Sequence, residues 1–450
     1  SAGWHEVKID TESAVCYPYS SSSGPIPTYI YEVYLGEMYK LGERSFCNMT
    51  YVTTITIPEG ITSCDNNCFD DCYSLTSITF PSGFNSYGST VLVRCYKIVN
   101  ISFPGDVSTA GSGLIESCFS LKDITLPFIE NLQQYTVYGN YSLIDLIVPN
   151  TGEAYGYSIY YNCALKRITL GSIEHADDYC ISYNYSLSEI ILTGNIDNYA
   201  RYAFYYDYQY GVTNIVFKDN VTIIPDYICC EFCGTSNVTM SNAVTTIGNS
   251  AFYNCLSLSF INLSSNLQTI GSNAFTYCCC LNSITLPNTL TTICEYAFKG
   301  TNIIHIEIPN SVISIEQYAF QQCYNLKNVT LSNSLTSIST YLFYNCSNLS
   351  SINIPYGVTA MNNSAFNSCK SLTKIIIPSS VTSIGTNVFN GCSSLFEIVI
   401  EASTPPTLSN VNTFANMPAD YKIIVPSGSR NAYIAATNWS SLSSHIEEAS

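Results

Sequence analysis

Four histidines, 21 cysteines and a scatter of carboxylates are the residues through which this chain could do chemistry. Metal or acid–base work on the histidines needs partners at helix or loop spacing. His5, His175, His305 and His445 lie outside any His-Glu-x-x-His helix or phosphate-binding glycine loop. His305 has Glu307 two residues on, which places both on one face of a strand. The spacing reads as a solvated pair rather than an acid–base couple. Cys229-Cys230-x-x-Cys233 and Cys278-Cys279-Cys280 supply thiols for zinc or redox chemistry. Structural zinc, however, wants four ligands converging from turns, and adjacent cysteines point to different faces. The expectation is no catalytic constellation, no metal site and no cofactor.

The cysteines make sense once the elements that carry them are read. In residues 365–389, counting from Phe366, apolar or small side chains fall at +3 (Cys369), +6 (Leu372), +9 (Ile375), +11 (Ile377), +15 (Val381) and +18 (Ile384). The cycle restarts at Phe389. Equivalent anchors are Phe46, Phe69, Leu92, Ile115, Val137, Ile159, Ile181, Phe204, Ile228, Phe252, Phe275, Phe298, Phe320, Phe343 and Phe366, at intervals of 22 to 24 residues. A period of this length marks a repeat protein, in which one unit cannot bury its own apolar face and stacked units can. The run from +6 to +12 alternates and is β-branched, so it reads as a parallel strand ended by a proline such as Pro378. The Val-x-x-Ile-Gly stretch is a second extended piece. The Asn-x-Ala-Phe-x-x-Cys stretch suits one helical or 3-10 turn. Cys72, Cys95, Cys118, Cys255, Cys278, Cys323, Cys346, Cys369 and Cys392 all occupy +3, where Asn140, Asn162 and Asn184 stand in other coils. Such positional use reads as packing, because a free cysteine behaves as a small hydrophobe. Stacking sets these thiols about 5 Å apart with parallel Cβ vectors, a poor geometry for a disulfide.

Stretches such as Ile270-Gly271-Ser272-Asn273-Ala274-Phe275, with Cys278, Leu281, Ile284, Leu286 and Pro287, resemble the BspA-like leucine-rich repeats of bacterial and some protist cell surfaces. The resemblance spans roughly 38 to 400. Tyr421 to Glu448, with Val425-Pro426 and Asn438-Trp439, is similar to the end cap of that family. The resemblance implies a right-handed solenoid of about 16 coils, one parallel strand per coil, and a surface adhesion or binding role without catalytic residues. The domain reading is a cap or linker over 1–27, the leucine-rich repeat solenoid over 28–402 and a C-terminal cap over 403–450.

Composition narrows the partners. Charged residues are 11% of the chain, against roughly 25% in average proteins. The net charge is −17, from 33 acidic and 16 basic residues. Nucleic acid and anionic membranes require clustered Lys and Arg, and no cluster exists. No apolar run reaches the ~18 residues of a spanning helix, so direct membrane insertion is not expected. The chain opens Ser1-Ala2-Gly3-Trp4 without a basic-then-apolar leader, so the expectation is either a removed secretion signal or a fragment of a longer chain, with any anchor upstream of residue 1 or in a partner protein.

Two features could bind. At +8 and +10 most coils present Ser, Thr or Asn, but the middle coils present Asp123, Asp145, Ile147, Arg167, Glu189 and Ile191. The same coils concentrate the 37 tyrosines, among them Tyr141, Tyr160, Tyr183, Tyr185, Tyr205 and Tyr208. Tyrosines recur at −2, +1, +2 and +4. They form either a ring ladder that stabilises the stack or a contact patch for glycan or protein. Asn-x-Ser/Thr sequons at Asn100, Asn140, Asn184, Asn262, Asn345 and Asn348 read as chance in so Asn- and Ser-rich a chain. The expected function is non-catalytic recognition at a cell surface, an adhesin for a protein or glycan on another surface. The alternative is a structural spacer or fibre component. The oligomeric state stays open between monomer and self-assembly.

Overall fold

The computed structural model describes residues 40–50, 52–57, 59–103, 105–197, 203–205 and 211–449. The expected N-terminal cap or linker over 1–27 lies outside them. Two compact units divide the chain, residues 1–221 and 222–450. Each is a parallel β-solenoid, and the 23-residue beat in the sequence is the reason. Every strand pairs with its counterpart one coil away, so inward residues stay inward from coil to coil.

Three sets of short strands recur. Front strands occupy +8 onward. In the first unit Asp123–Thr125, Asp145–Val148, Arg167–Leu170, Glu189–Leu192 and Asn214–Phe217 pair in sequence order. In the second unit Lys374–Ile377, Glu397–Ile400, Lys422–Val425 and Ile446–Glu448 do the same. Back strands are the Val-x-x-Ile pieces, for example Thr246–Ile247, Thr269–Ile270 and Thr292–Ile293. Side strands begin at the anchor in the first unit, from Leu92–Val93 to Phe204–Tyr205.

The anchors form the core. Phe252, Phe275, Phe298, Phe320, Phe343, Phe366 and Phe389 are fully buried. Their rings stack in one column with centroids 5.4–5.8 Å apart, and Phe414 adds a further step at 6.0 Å. Each such burial contributes about 1.5–3 kcal/mol. One anchor is displaced from the sequence reading. The N–H of Cys229, not of Ile228, donates to the Ala251 carbonyl, as Phe252 does to Ala274. Cys229 therefore holds the phenylalanine position, and the 24-residue interval assigned there is one too long.

Around the anchor the chain makes overlapping turns rather than a helix. Tyr253 bonds back to Ser250 and Cys255 to Phe252, while Ser250, Phe252 and Asn254 donate to the next coil. Positive φ at −2 and +2 interrupts any helical run. At −2 the angle is 58° at Asn67, 61° at Tyr318 and 56° at Tyr341; at +2 it is 64° at Gly139, 67° at Gly300 and 59° at Gln322. For an L-residue this region costs roughly 1–2 kcal/mol, which is why Asn and Gly recur there. The tyrosines at −2 carry that cost and recover contact by stacking: Tyr296–Tyr318 at 4.6 Å and Tyr318–Tyr341 at 4.8 Å.

Position +3 does more than pack. The Cys278 thiol donates to the Phe252 carbonyl at 3.1 Å, Cys346 to Phe320 at 3.0 Å and Cys392 to Phe366 at 3.1 Å. The asparagines serve the same carbonyl: Asn140 Nδ2 reaches Ile115 at 3.1 Å, Asn162 reaches Val137 at 3.0 Å and Asn184 reaches Ile159 at 3.2 Å. Their Oδ1 atoms also accept backbone N–H groups, Cys118 to Asn140 at 2.8 Å and Asn140 to Asn162 at 3.0 Å. The ladder thus selects a small donor, and burial raises the pKa of the Cys278, Cys346 and Cys392 thiols, to about 12 at Cys392.

The C-terminal segment continues the coil. Thr407–Leu408 extends the back strands. A short helix, Arg430–Ala435, buries Tyr433, whose hydroxyl donates to the Ala402 carbonyl at 2.7 Å. Trp439 is fully buried and its indole N–H donates to the Pro406 carbonyl at 2.8 Å.

Candidate functional site

The alternation of the front strands turns +8 and +10 outward, so the middle-coil residues meet as two rows. Asp123, Asp145, Arg167, Glu189 and Asn214 are consecutive register partners. Arg167 is the hub of that row. Its Nε lies 2.8 Å from Asp145 Oδ1 and its NH1 3.5 Å from Glu189 Oε2. The hydrogen bond that Arg167 donates to Asp145 raises the Arg167 pKa. The second row runs Thr125, Ile147, Thr169, Ile191 and Val216, with Ile147 43% exposed. The structure therefore brings together the six predicted strip residues as an acidic row beside an apolar one.

The tyrosines occupy other sides of the same coils. Tyr138 and Tyr160 lie on side strands, and Tyr141 and Tyr185 on the stretch between side and front strands. Most of these rings cover one another's faces. Tyr73, Tyr96, Phe119 and Tyr141 form a column with 5.0–5.2 Å spacings and interplanar angles of 13° or less. Phe119 belongs to that column and was missed, because a search by tyrosine alone passes over it. Tyr138 stacks on Tyr160 at 5.5 Å, and burial raises the pKa of both. Edge-to-face contacts replace stacking at Tyr141–Tyr161, Tyr161–Tyr185 and Tyr160–Tyr183. The Tyr205 side chain and all of Tyr208 lie outside what the structure describes.

The second unit holds a groove of about 1080 Å³ on its front face, bordered by coils from Ile284 to Glu401. Its +8 side is a hydrogen-bonded row: Asn328 Nδ2 meets His305 Nδ1 at 3.2 Å, and Ser351 donates to Asn328 Oδ1 at 3.0 Å. Glu307, Thr330, Asn353 and Ile376 line it at +10, and Pro309, Pro355 and Tyr356 stand at the strand ends. Sequence reading found the His305–Glu307 pair without the groove. The signal that could have found it is the run of prolines and a tyrosine at successive strand ends, beside a coil one residue short.

Among the described residues no group of three or more His, Cys, Asp or Glu is placed to hold a metal ion. Among them, too, no helix is long and apolar enough to cross a membrane. What the arrangement offers is rigid outward rows on hydrogen-bonded strands, the class of leucine-rich parallel β-solenoids. Within that class the chain belongs to the BspA-type leucine-rich repeat family, whose six-copy region matches residues 32–144, 129–228, 205–327 and 292–419. Among solved structures it is similar to a leucine-rich repeat protein from Bacteroides ovatus, with 19% identity, 92% of this chain and 88% of that chain covered, and a TM-score of 0.41. It is similar to a leucine-rich cell surface protein from Faecalibacterium prausnitzii, with 22% identity, 86% and 87% covered, and a TM-score of 0.26. The pneumococcal vaccine antigen PcpA gives 16% identity, 88% and 87% covered, and a TM-score of 0.34. Family membership rests on the repeat match. No curated protein matches the chain.

Proposed function

We propose that this protein is a non-catalytic recognition scaffold of a cell surface or the extracellular space, an adhesin whose ligand is a protein or glycan on another surface. The observation that carries this reading is the front face of the first unit. Asp145, Arg167 and Glu189 are locked to one another in register beside exposed Ile147, so charge and apolar area are held at fixed spacing with no loop to reorganise. A preorganised face loses little entropy when it binds. The small share of charged residues, 11%, favours contact by hydrogen bonding and apolar area over long-range steering.

The test is the full chain, fluorescently labelled, against immobilised matrix proteins, mucin and bacterial cells. Saturable binding that falls at least tenfold in an Arg167→Glu, Ile147→Asp double variant supports the reading. A folded chain that binds none of these surfaces refutes it. Concentration-dependent filaments without surface binding would instead support a structural spacer.

A further inference from the structure

The tyrosine columns of the first unit and the groove of the second differ in one respect that decides what each can hold. A pyranose ring stacks its C–H face on an open aromatic face. In the columns the faces are already covered by the next ring, at 5.0–5.2 Å and near-parallel. Tyr356, at the rim of the groove, is 71% exposed, the highest value among the exposed large hydrophobic side chains described. Among the described residues it pairs with no other ring. It is nonetheless held, since its hydroxyl donates to Glu401 Oε1 at 3.3 Å, 45 residues along the chain and two coils away.

We infer that this groove binds a neutral oligosaccharide, with Tyr356 as its stacking platform. The inference rests on the recognition role proposed above and names the ligand class of one face. Asn353, Glu307 and Glu401 supply planar amide and carboxylate groups, which bridge neighbouring sugar hydroxyls. Exposed Ile376, at 41%, and Pro309 suit the apolar C–H faces. Charge sets the class: the lining contains two glutamates and no Lys or Arg, so sialylated, sulfated or phosphorylated ligands are repelled. An extended peptide is disfavoured, because it would bind by adding a strand to an open sheet edge. The front strands here, His305–Glu307, Asn328–Thr330 and Ser351–Ile352, already pair with one another. The volume of about 1080 Å³ lies just above the ~300–1,000 Å³ range of small-molecule sites, which suits an oligomer over a single sugar.

The experiment is titration calorimetry on the full chain with hexamers of β-linked glucose, mannose and N-acetylglucosamine, and with hexagalacturonate as the acidic arm. At least one neutral hexamer is expected to bind and the acidic one not. Tyr356→Ala should weaken binding at least tenfold, or about 1.4 kcal/mol, and Tyr356→Phe about two- to fivefold through loss of the Glu401 tether. Tyr324→Ala, on another side of the second unit, should leave binding unchanged. Because Tyr356 is solvent-exposed, both variants should keep the parent melting curve. Absence of binding by every neutral hexamer, parent-like affinity in Tyr356→Ala, or equal binding of hexagalacturonate overturns the inference. If the chain still adheres to surfaces while all neutral hexamers fail, only the ligand class falls; if it adheres to none, the recognition role falls with it.

Discussion

Asn162 offers the sharpest test of how the coils are held together. It is fully buried, and its side chain joins three coils. Nδ2 donates to the Val137 carbonyl at 3.0 Å, and Oδ1 accepts the Asn140 N–H at 3.0 Å. Asn162→Ala removes both partners at once, leaving a buried donor and a buried acceptor. Each unsatisfied group costs about 1–3 kcal/mol, so the expected loss is about 2–6 kcal/mol. Asn162→Cys installs the residue that other coils use at this position. A thiol can keep the bond to Val137 but accepts only weakly from the Asn140 N–H, so up to about half the loss, 1–3 kcal/mol, should remain. Asn162→Asp keeps the acceptor and places a charge against the Val137 carbonyl, and should be worse than Ala. Because repeat arrays can unfold in parts, the assay is urea unfolding combined with hydrogen exchange at residues 137–162. An alanine variant costing under about 1 kcal/mol, or a cysteine variant as damaged as the alanine one, would refute the ladder reasoning.

The same physics gives further expectations. Gly300 has φ of +67°, and a Cβ there would lie 2.6 Å from the Tyr277 ring, so Gly300→Ala should lower thermal stability by about 1–2 kcal/mol. Gln322→Gly, at the equivalent left-handed position, should be neutral or slightly stabilising in the same melt. Native iodoacetamide labelling at pH 8, read by peptide mass, should modify exposed Cys279 and Cys280 first. Buried Cys369 and Cys392, whose pKa values burial raises, should label only on unfolding; native labelling at Cys392 would contradict the ladder. The hydrogen bond from Arg94, 2.6 Å from Asp71, lowers the Asp71 pKa. That stabilisation is present above the unfolded aspartate value and lost as pH falls through the lower folded one, so Asp71→Asn should flatten the acid limb of a stability profile below about pH 4. An unchanged acid limb would show that the pair contributes nothing.

What was legible in the sequence is what periodicity controls. The buried phenylalanine column follows from a fixed interval, and the front-strand rows follow from alternation. The role of +3 was half legible. Cysteine and asparagine share small size, which suggests packing, but they also share a donor that reaches the preceding coil's anchor carbonyl, whereas Thr301 at the same position bonds back to Phe298 of its own coil at 2.9 Å. The misplaced anchor at 228 arose because Cys229 does not look like phenylalanine, although counting back 23 from Phe252 reaches it. The left-handed positions were masked by tyrosine, since Asn67 and Asn273 advertise such a backbone and Tyr318 does not. The groove was least legible of all. It depends on Tyr356 meeting Glu401 across two coils, and no short window of sequence contains that contact.

One consequence of the ladder concerns length. Phe252, Phe275 and Phe298 each give their N–H to the following coil in the same way, and Cys278 returns a donor to the coil before. Within the run of 23-residue coils from Phe320 to Phe389 a repeat therefore has no private boundary: cutting there and rejoining one period later restores the backbone bonds between coils. Excising residues 344–366 would seat Phe343 where Phe366 now sits, so such a molecule works as a ruler whose span can be reset in steps while both ends stay the same.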